Sequence, residues 1–386
     1  MNNDIDKDNF SSDNDNIINN KYNKYSNKNN NRTISGTNIT NDKRNKKRSG
    51  GSSPKRKTSP LTIVLLIAAI ISVAANIFLL ITDHRRTQAT VARLEATDID
   101  AAKAAEREDI LNTIRGQYEN GASTLSVLKQ LYPDNIVYVN KKGNYIFADI
   151  DQSLAKSDYN TAGFKRGSDG YMTYSDDKNT STYTGVDLSR YNSDIDFAKA
   201  KAAGIDYAMI RCGYRAYGSG LLTKDTSYDK YMTGALTNNM DVGVYFYSQA
   251  INRDEAVEEA NYVLDLIRPY NVTYPVAIDI EAIENDSFRQ EKLSAAELTD
   301  VVIAFCDTIK SAGYTPLIYS NLLYFMDNVE LSRLESYDKW FAGYQTASPY
   351  YPYKYTMWQY TSTGTVSGIS GNVDINICFK NYKNGK

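Results

Sequence analysis

Between Leu61 and Thr82 the chain reads LTIVLLIAAIISVAANIFLLIT, 22 residues without a charge. In a helix, at about 1.5 Å per residue, such a run crosses a hydrocarbon layer of roughly 30 Å. A helix of a water-soluble core keeps a polar stripe, whereas here only Thr62, Ser72, Asn76 and Thr82 interrupt the apolar surface. One transmembrane helix over 61–82 is therefore expected. A cleaved signal peptide fits poorly, because about 60 residues precede the run and the run itself is long. The flanking charge sets the orientation. Residues 1–60 hold 13 Lys+Arg against 6 Asp+Glu, a balance of +7, so the remainder of a chain of net charge −2 carries −9. KRNKKR (Lys43–Arg48) and KRK (Lys55–Lys57) crowd one side of the span, while the other side offers Arg85 and Arg86 and then mixed charge. The positive-inside rule puts the N-terminus in the cytoplasm and the large C-terminal part outside, as a single-pass cell-membrane protein. The basic clusters then serve topology and contact with anionic lipid, and no nucleic-acid partner is expected. Thirteen of the first 40 residues are Asn, too polar a segment to offset its ordering entropy, so 1–60 is read as a disordered tail.

Two scarcities narrow the chemistry of the outer part. The one histidine of the chain, His84, lies at the membrane edge. Ser-His-Asp and Cys-His nucleophilic sites and histidine-built zinc sites all need an imidazole, so these classes are disfavoured, along with most peptidases and amidases. The three cysteines, Cys212, Cys306 and Cys378, are odd in number, far apart and in apolar contexts, which suits small buried hydrophobes better than a disulfide framework. If the outer part is an enzyme, carboxylates supply its acid–base chemistry, and neither a metal nor a cofactor is expected.

From Asp83 to 116 the composition is rich in Ala, Glu and Arg, with Val91, Leu94, Ile99, Ala102, Ile110 and Ile114 spaced as on a helical stalk. The heptad is too broken to claim a coiled coil; self-association, if present, would run through this stalk. Residues 117–184 are read as a small spacer, with a β-hairpin in NIVYVNKKGNYIFADI (Asn135–Ile150). From 185 strand patterns alternate with helical ones. Strands are predicted over 185–189, 207–213, 241–248, 275–281 and 316–320, and helices over 194–203, 227–238, 253–267 and 294–312. LSAAE opens the last helix with a capping box. KWFAGY, YTMWQY and VDINICF then read as strands without helices between them. Five βα units followed by strands predict an α/β barrel related to the (β/α)8 design, with its own core, over 185–386.

PVAIDIE (Pro275–Glu281) is an apolar strand ending in two acids at spacing i, i+2. Side chains two apart on a strand share a face, so Asp279 and Glu281 would share one small space. Strand ends on one face of such a barrel hold its catalytic groups. Asp187 in the first strand and Asp374 near the last would join them on closure. The bland alternative, in which these acids cap helices or pair with Arg211 and Arg215, is about even for any single Asp and weaker for the DIE pair. Of 32 tyrosines many fall at strand ends, among them Tyr214, Tyr217, Tyr245, Tyr247, Tyr319, Tyr344 and Tyr360, together with Trp340 and Trp358. Flat faces with a polar tip suit sugar rings, and collectively they favour a carbohydrate cleft. Tyr245, Tyr247, Tyr319, Trp340, Trp358, Gln359 and Arg211 are the candidate substrate contacts.

GVDLSRYNSDIDF, YAMIRCGYRAYGSGLLTKD, VGVYFYSQA, YPVAIDIE, PLIYSN, MWQY and GNVDINIC occur in the order and spacing of glycoside hydrolase family 25, which Gly185 to Phe379 resembles. The resemblance implies a (β/α)5β3 barrel and a lysozyme that cuts the β-1,4 bond between N-acetylmuramic acid and N-acetylglucosamine. It implies Glu281 as proton donor and Asp279 as its partner, with Asp187 and Asp374 lining the site. The family's first motif usually continues Tyr/His-Gln-Gly and ends Asp-Trp. Here Asn192, Ser193 and Phe197 depart from it, which bears on subsite preference more than on chemistry. The expectation is a membrane-anchored peptidoglycan hydrolase in which neighbouring carboxylates keep Glu281 protonated and Asp279 stays ionised. Two rivals stand beside it: a non-catalytic glycan-binding module, and a structural component of an envelope-spanning secretion or conjugation machine.

Overall fold

The computed structural model describes residues 59–177, 181–283, 287–344 and 346–383, so the tail predicted over 1–60 lies almost wholly outside the described residues. The apolar run and the stalk form one continuous helix, α1 (Pro60–Glu119), none of whose residues is buried. Among the described residues α1 is the one helix long and apolar enough to cross a membrane. Leu65, Ile70, Phe78 and Leu80 all stand more than half exposed. In water so much bare apolar surface is unfavourable at about 25 cal/mol per Å2, so the helix fits an anchor set in lipid.

Residues 98–386 make a compact unit. After α2 (Thr124–Leu131) come two hairpins, β1 (Asn135–Val139) with β2 (Tyr145–Asp149) and β3 (Phe164–Arg166) with β4 (Met172–Tyr174). The barrel follows: β5 (Tyr183–Leu188), α3 (Phe197–Ala202), β6 (Tyr207–Arg215), β7 (Leu222–Lys224), α4 (Tyr228–Thr237), β8 (Asp241–Tyr247), α5 (Arg253–Ile267) and β9 (Val276–Asp279). It continues with α6 (Ala295–Ser311), β10 (Pro316–Asn321), α7 (Leu322–Asp327), β11 (Asp338–Ala342), β12 (Met357–Gly364) and β13 (Val373–Cys378). From β5 through β6, β8, β9, β10, β11 and β12 each neighbour pairs in parallel. β13 runs antiparallel to both β12 and β5 and closes the ring into a mixed barrel-like sheet, with β7 attached outside β6.

Helices appear where the sequence predicts them because the local signals agree. The capping box of Ser294 and Glu297 opens α6, and the Asn252 side chain accepts from the Glu255 backbone to open α5. Gly204 and Gly313 follow α3 and α6 at φ of 94° and 88°, the left-handed conformation that ends a helix at little cost to glycine. Helix α7 is short and lay within no predicted segment.

Strand alternation sorts the residues into two cores. Tyr207, Met209, Ala277, Leu317, Trp340 and Met357 fill the barrel. Val186, Ile210, Val244, Ile278, Phe341 and Trp358 point outward against helix faces that include Val263, Val301 and Phe305. Gly185 is required by this packing, since a Cβ there would lie 2.1 Å from the buried Tyr207 ring. Gly185→Ala is expected to lower stability by roughly 1–3 kcal/mol, the range for overpacking a filled core. A denaturant melt with an unchanged midpoint would show that the floor can yield.

Where the sequence suggests a spacer, residues 117–184 contribute side chains to the outer core. Ile136, Tyr138, Leu154, Met172 and Tyr174 are buried in the same cluster as the barrel's outward face. Phe164 meets Trp358 edge-on at 5.5 Å, and Tyr159 stacks on Phe379 at 4.2 Å. Backbone groups are joined as well. Val137 N donates to the Tyr350 hydroxyl, Asp151 N to Tyr353 and Met172 N to Tyr360.

Candidate active site

Asp187 and Asp374 sit directly opposite one another on β5 and β13, so the antiparallel closure of the ring sets two carboxylates side by side. Across the mouth, β9 ends at Asp279, which pairs in register with Tyr247 on β8 and Tyr319 on β10. Ile280 turns outward and is fully buried, with its N–H donating to Tyr319 O and its carbonyl accepting from Ser320 Oγ. That anchors the residue between the two acids and returns Glu281 to the mouth. Asp187, Asp279, Glu281 and Asp374 line one cavity of about 200 Å3. Tyr245, Tyr319, Trp340, Tyr344 and Gln359 complete its wall.

The amides of the cavity are oriented by their partners. Gln359 Oε1 accepts the hydroxyls of Tyr319 (2.8 Å) and Tyr344, so its Nε2 faces Asp187 Oδ2 at 2.9 Å. Trp340 Nε1 donates to Asn376 Oδ1 (2.8 Å), and Asn376 Nδ2 therefore meets Asp187 Oδ1 at 2.7 Å. Both oxygens of Asp187 are thus satisfied by donors. Burial pushes Asp374 up to about 6, and burial together with the Asp374 charge raises Asp187. The two amide donors on Asp187 and the Asp187 hydrogen bond to Asp374 each work against these rises, so the two carboxyls titrate as a pair. Asp279 departs from its expectation. Burial first, and then the Glu281 charge, raise its carboxyl well above the usual range, against a smaller pull from Arg211. The surrounding protein groups therefore disfavour an ionised Asp279. Its Oδ1 is buried and, among the described residues, has no hydrogen-bond partner.

A carboxyl raised on folding stabilises most when protonated. Asp374 contributes fully below its unfolded value near 4, and the contribution is lost as pH rises through about 6. Asp374→Asn should therefore raise stability at pH 7 to 8 by roughly 1–2 kcal/mol, a gain that shrinks toward pH 4. Thermal melts across that range check it; a gain larger at pH 4 than at pH 8 would contradict the assignment.

The remaining candidates separate by strand parity. Tyr245, Tyr319 and Trp340 all face the cavity; Trp340 is only 1% exposed, and its Nε1 is committed to positioning Asn376. Tyr247 stands at the rim, near enough for the charges of Asp279 and Glu281 to raise its hydroxyl further, although burial is the larger cause. Trp358 does not reach the cavity. Gln359 points inward, so its neighbour must point outward, and Trp358 is buried against Phe164 with its Nε1 donating to Gly343 O. Arg211 pairs with Asp225 at 2.7 Å, and Arg215 with Glu258 and Glu259, so neither arginine occupies the four acids. Sequence reading missed Asn376, although it stands two residues after Asp374 and shares its face. It also missed Glu259. This fully buried residue accepts from Arg215 Nε (2.8 Å) and Ser248 Oγ (2.6 Å), while Ser248 N donates to the Asp279 carbonyl. The network fixes the strand end that carries the acids.

Residues 186–369 match the family model of the glycosyl hydrolases family 25, and this segment of the chain belongs to that family. The autolytic lysozyme of Clostridium acetobutylicum is 25% identical over 191 residues, which cover 50% of this chain and 54% of that protein. Lysozyme M1 of Streptomyces globisporus is 24% identical over 206 residues, 51% of this chain and 68% of that one. Among solved structures, a family 25 glycosyl hydrolase from Bacillus anthracis aligns with a TM-score of 0.45 at 21% identity, covering 56% of this chain and 96% of that one. The chain thus spans about half the length of the clostridial relative.

Proposed function

We propose that this chain is a membrane-anchored muramidase that cleaves the β-1,4 bond between N-acetylmuramic acid and N-acetylglucosamine in peptidoglycan. In this reading the strand order is that of a (β/α)5β3 barrel, α1 spans the membrane with the N-terminus cytoplasmic, and the barrel acts outside. The observation that carries it is the convergence of Asp187, Asp279, Glu281 and Asp374 on one cavity, in a segment of a family of glycosyl hydrolases.

Glu281 is the general acid, donating a proton to the leaving glycosidic oxygen and recovering it from water. Asp279 orients the substrate's own N-acetyl group. Among the described residues its buried Oδ1 has no donor, and an acetamido N–H would supply one. Ionisation of Asp279 would then come with substrate, since a donor stabilises the carboxylate that burial disfavours. Participation of the acetamido oxygen would retain the anomeric configuration. Asp187, held by Gln359 and Asn376, and Asp374 complete the acidic wall. No step calls for a metal or cofactor, because carboxylates suffice for this cleavage.

A turbidity assay on purified walls separates hydrolysis from glycan binding. Clearing by the full chain supports the muramidase; binding without clearing favours the non-catalytic module.

A further inference from the structure

Beside the acidic cavity lies a second cluster of opposite character. Asp225 is almost completely buried at the end of β7. It accepts from Arg211 Nε (2.7 Å) and from the backbone N–H groups of Arg190 (3.2 Å) and Ser227 (2.9 Å). Its charge is thus spent on Arg211 and on fixing the chain at Arg190. The Arg190 side chain reaches two tyrosine hydroxyls instead, Tyr214 at 2.7 Å and Tyr191 at 3.1 Å. Its guanidinium carbon lies 5.1 Å from the Tyr191 ring centre and 4.9 Å from that of Tyr214. Arg211 lies 5.0 and 5.7 Å from the same two rings. Two cations therefore share two aromatic rings and one carboxylate, which leaves the cluster at +1. Among the described residues Arg190 forms no ion pair with an acid.

The cluster is built and open at once. Its aromatic contacts hold an exposed guanidinium in place, lowering the entropy lost when it binds. Tyr191 is 77% exposed, a face bare to solvent. Arg211 ties the cluster to the cavity, since it stands in register with Tyr245 of the cavity wall on the neighbouring strand.

We propose that Arg190, Tyr191, Tyr214 and Arg211 form an anion subsite that binds a carboxylate or phosphate carried by the glycan strand. The proposal rests on the muramidase reading and adds a specificity element to it. Those carboxyls of the wall that are ionised repel an anion on the substrate, and the guanidinium pair is the adjoining place that attracts it. Muramic acid bears peptides with free carboxylates, and wall polymers bear phosphodiesters; both present paired oxygens to a guanidinium fork.

The test uses the full chain in detergent and its Arg190→Gln variant, measured by co-sedimentation with insoluble walls and by clearing kinetics. Four wall preparations serve: intact, acid-extracted to remove phosphate polymers, treated with an amidase to remove stem peptides, and treated in both ways. On intact walls Arg190→Gln is expected to weaken binding and raise KM by roughly 3- to 10-fold, the range between exposed and partly desolvated ionic contacts, with kcat within about twofold. The difference should vanish on whichever preparation lacks the recognised anion, and it should shrink with added salt. An Arg190→Gln protein with unchanged binding to intact walls overturns the subsite, and so does a loss that persists on walls stripped of both anions. A wild-type chain that binds walls but never clears them sinks the hydrolase reading alone, and the binding comparison still decides the subsite.

Discussion

Glu281→Gln is expected to slow wall clearing by roughly 10²–10⁴-fold or more, the range for removing a positioned general acid, without lowering the thermal midpoint. The amide matches the carboxyl in size but cannot deliver a proton to a leaving oxygen. Glu281 is half-buried at the cavity mouth, in a position set by the outward turn of Ile280, so the exchange alters chemistry more than packing. Asp279→Asn should also be severely impaired while the fold survives, because an amide cannot stabilise positive charge developing on the acetamido group. Product anomers read by NMR in the first moments of reaction decide between routes: retention agrees with acetamido participation, and inversion rules it out. Near-normal clearing by Glu281→Gln would remove the acid assignment altogether.

The second large effect concerns residues 117–184. A protein beginning at Thr184 is expected to be insoluble, or to melt more than about 10 °C below one beginning at Asp98. Removing the segment uncovers Trp358 and Phe379 and takes away Ile136, Tyr138, Met172 and Tyr174. At roughly 1.5–3 kcal/mol for each buried side chain, four such losses approach the whole stability of an ordinary domain. Lost donors to the Tyr350, Tyr353 and Tyr360 hydroxyls add to this. Equal midpoints and equal clearing rates would establish that the barrel is self-sufficient and that 117–184 is a spacer after all.

The strands carrying Asp187, Asp279 and Asp374 are legible because each is an apolar run broken by an acid, a local pattern. The hairpin at 135–149 is legible for the same reason. That its apolar side chains complete the barrel's outer core is not, since their partners lie some 200 residues away and leave no periodic trace. Trp358 illustrates a narrower limit. Composition marks it as a sugar platform, but strand parity assigns the inward place to Gln359. Glu259 illustrates the reverse: RDEAVEEA reads as a solvated helix face, and only closure of the barrel brings Arg215 and Ser248 to it.

The central claim is that one bond is cut by one acid. Mass spectrometry of muropeptides released from purified walls, after borohydride reduction, reports the bond and its new end together. The account predicts fragments whose reducing terminus is N-acetylmuramic acid, recovered as its reduced alcohol, from the wild-type chain and not from Glu281→Gln. Fragments ending in reduced N-acetylglucosamine, or new peptide termini with no new reducing sugar, would contradict it.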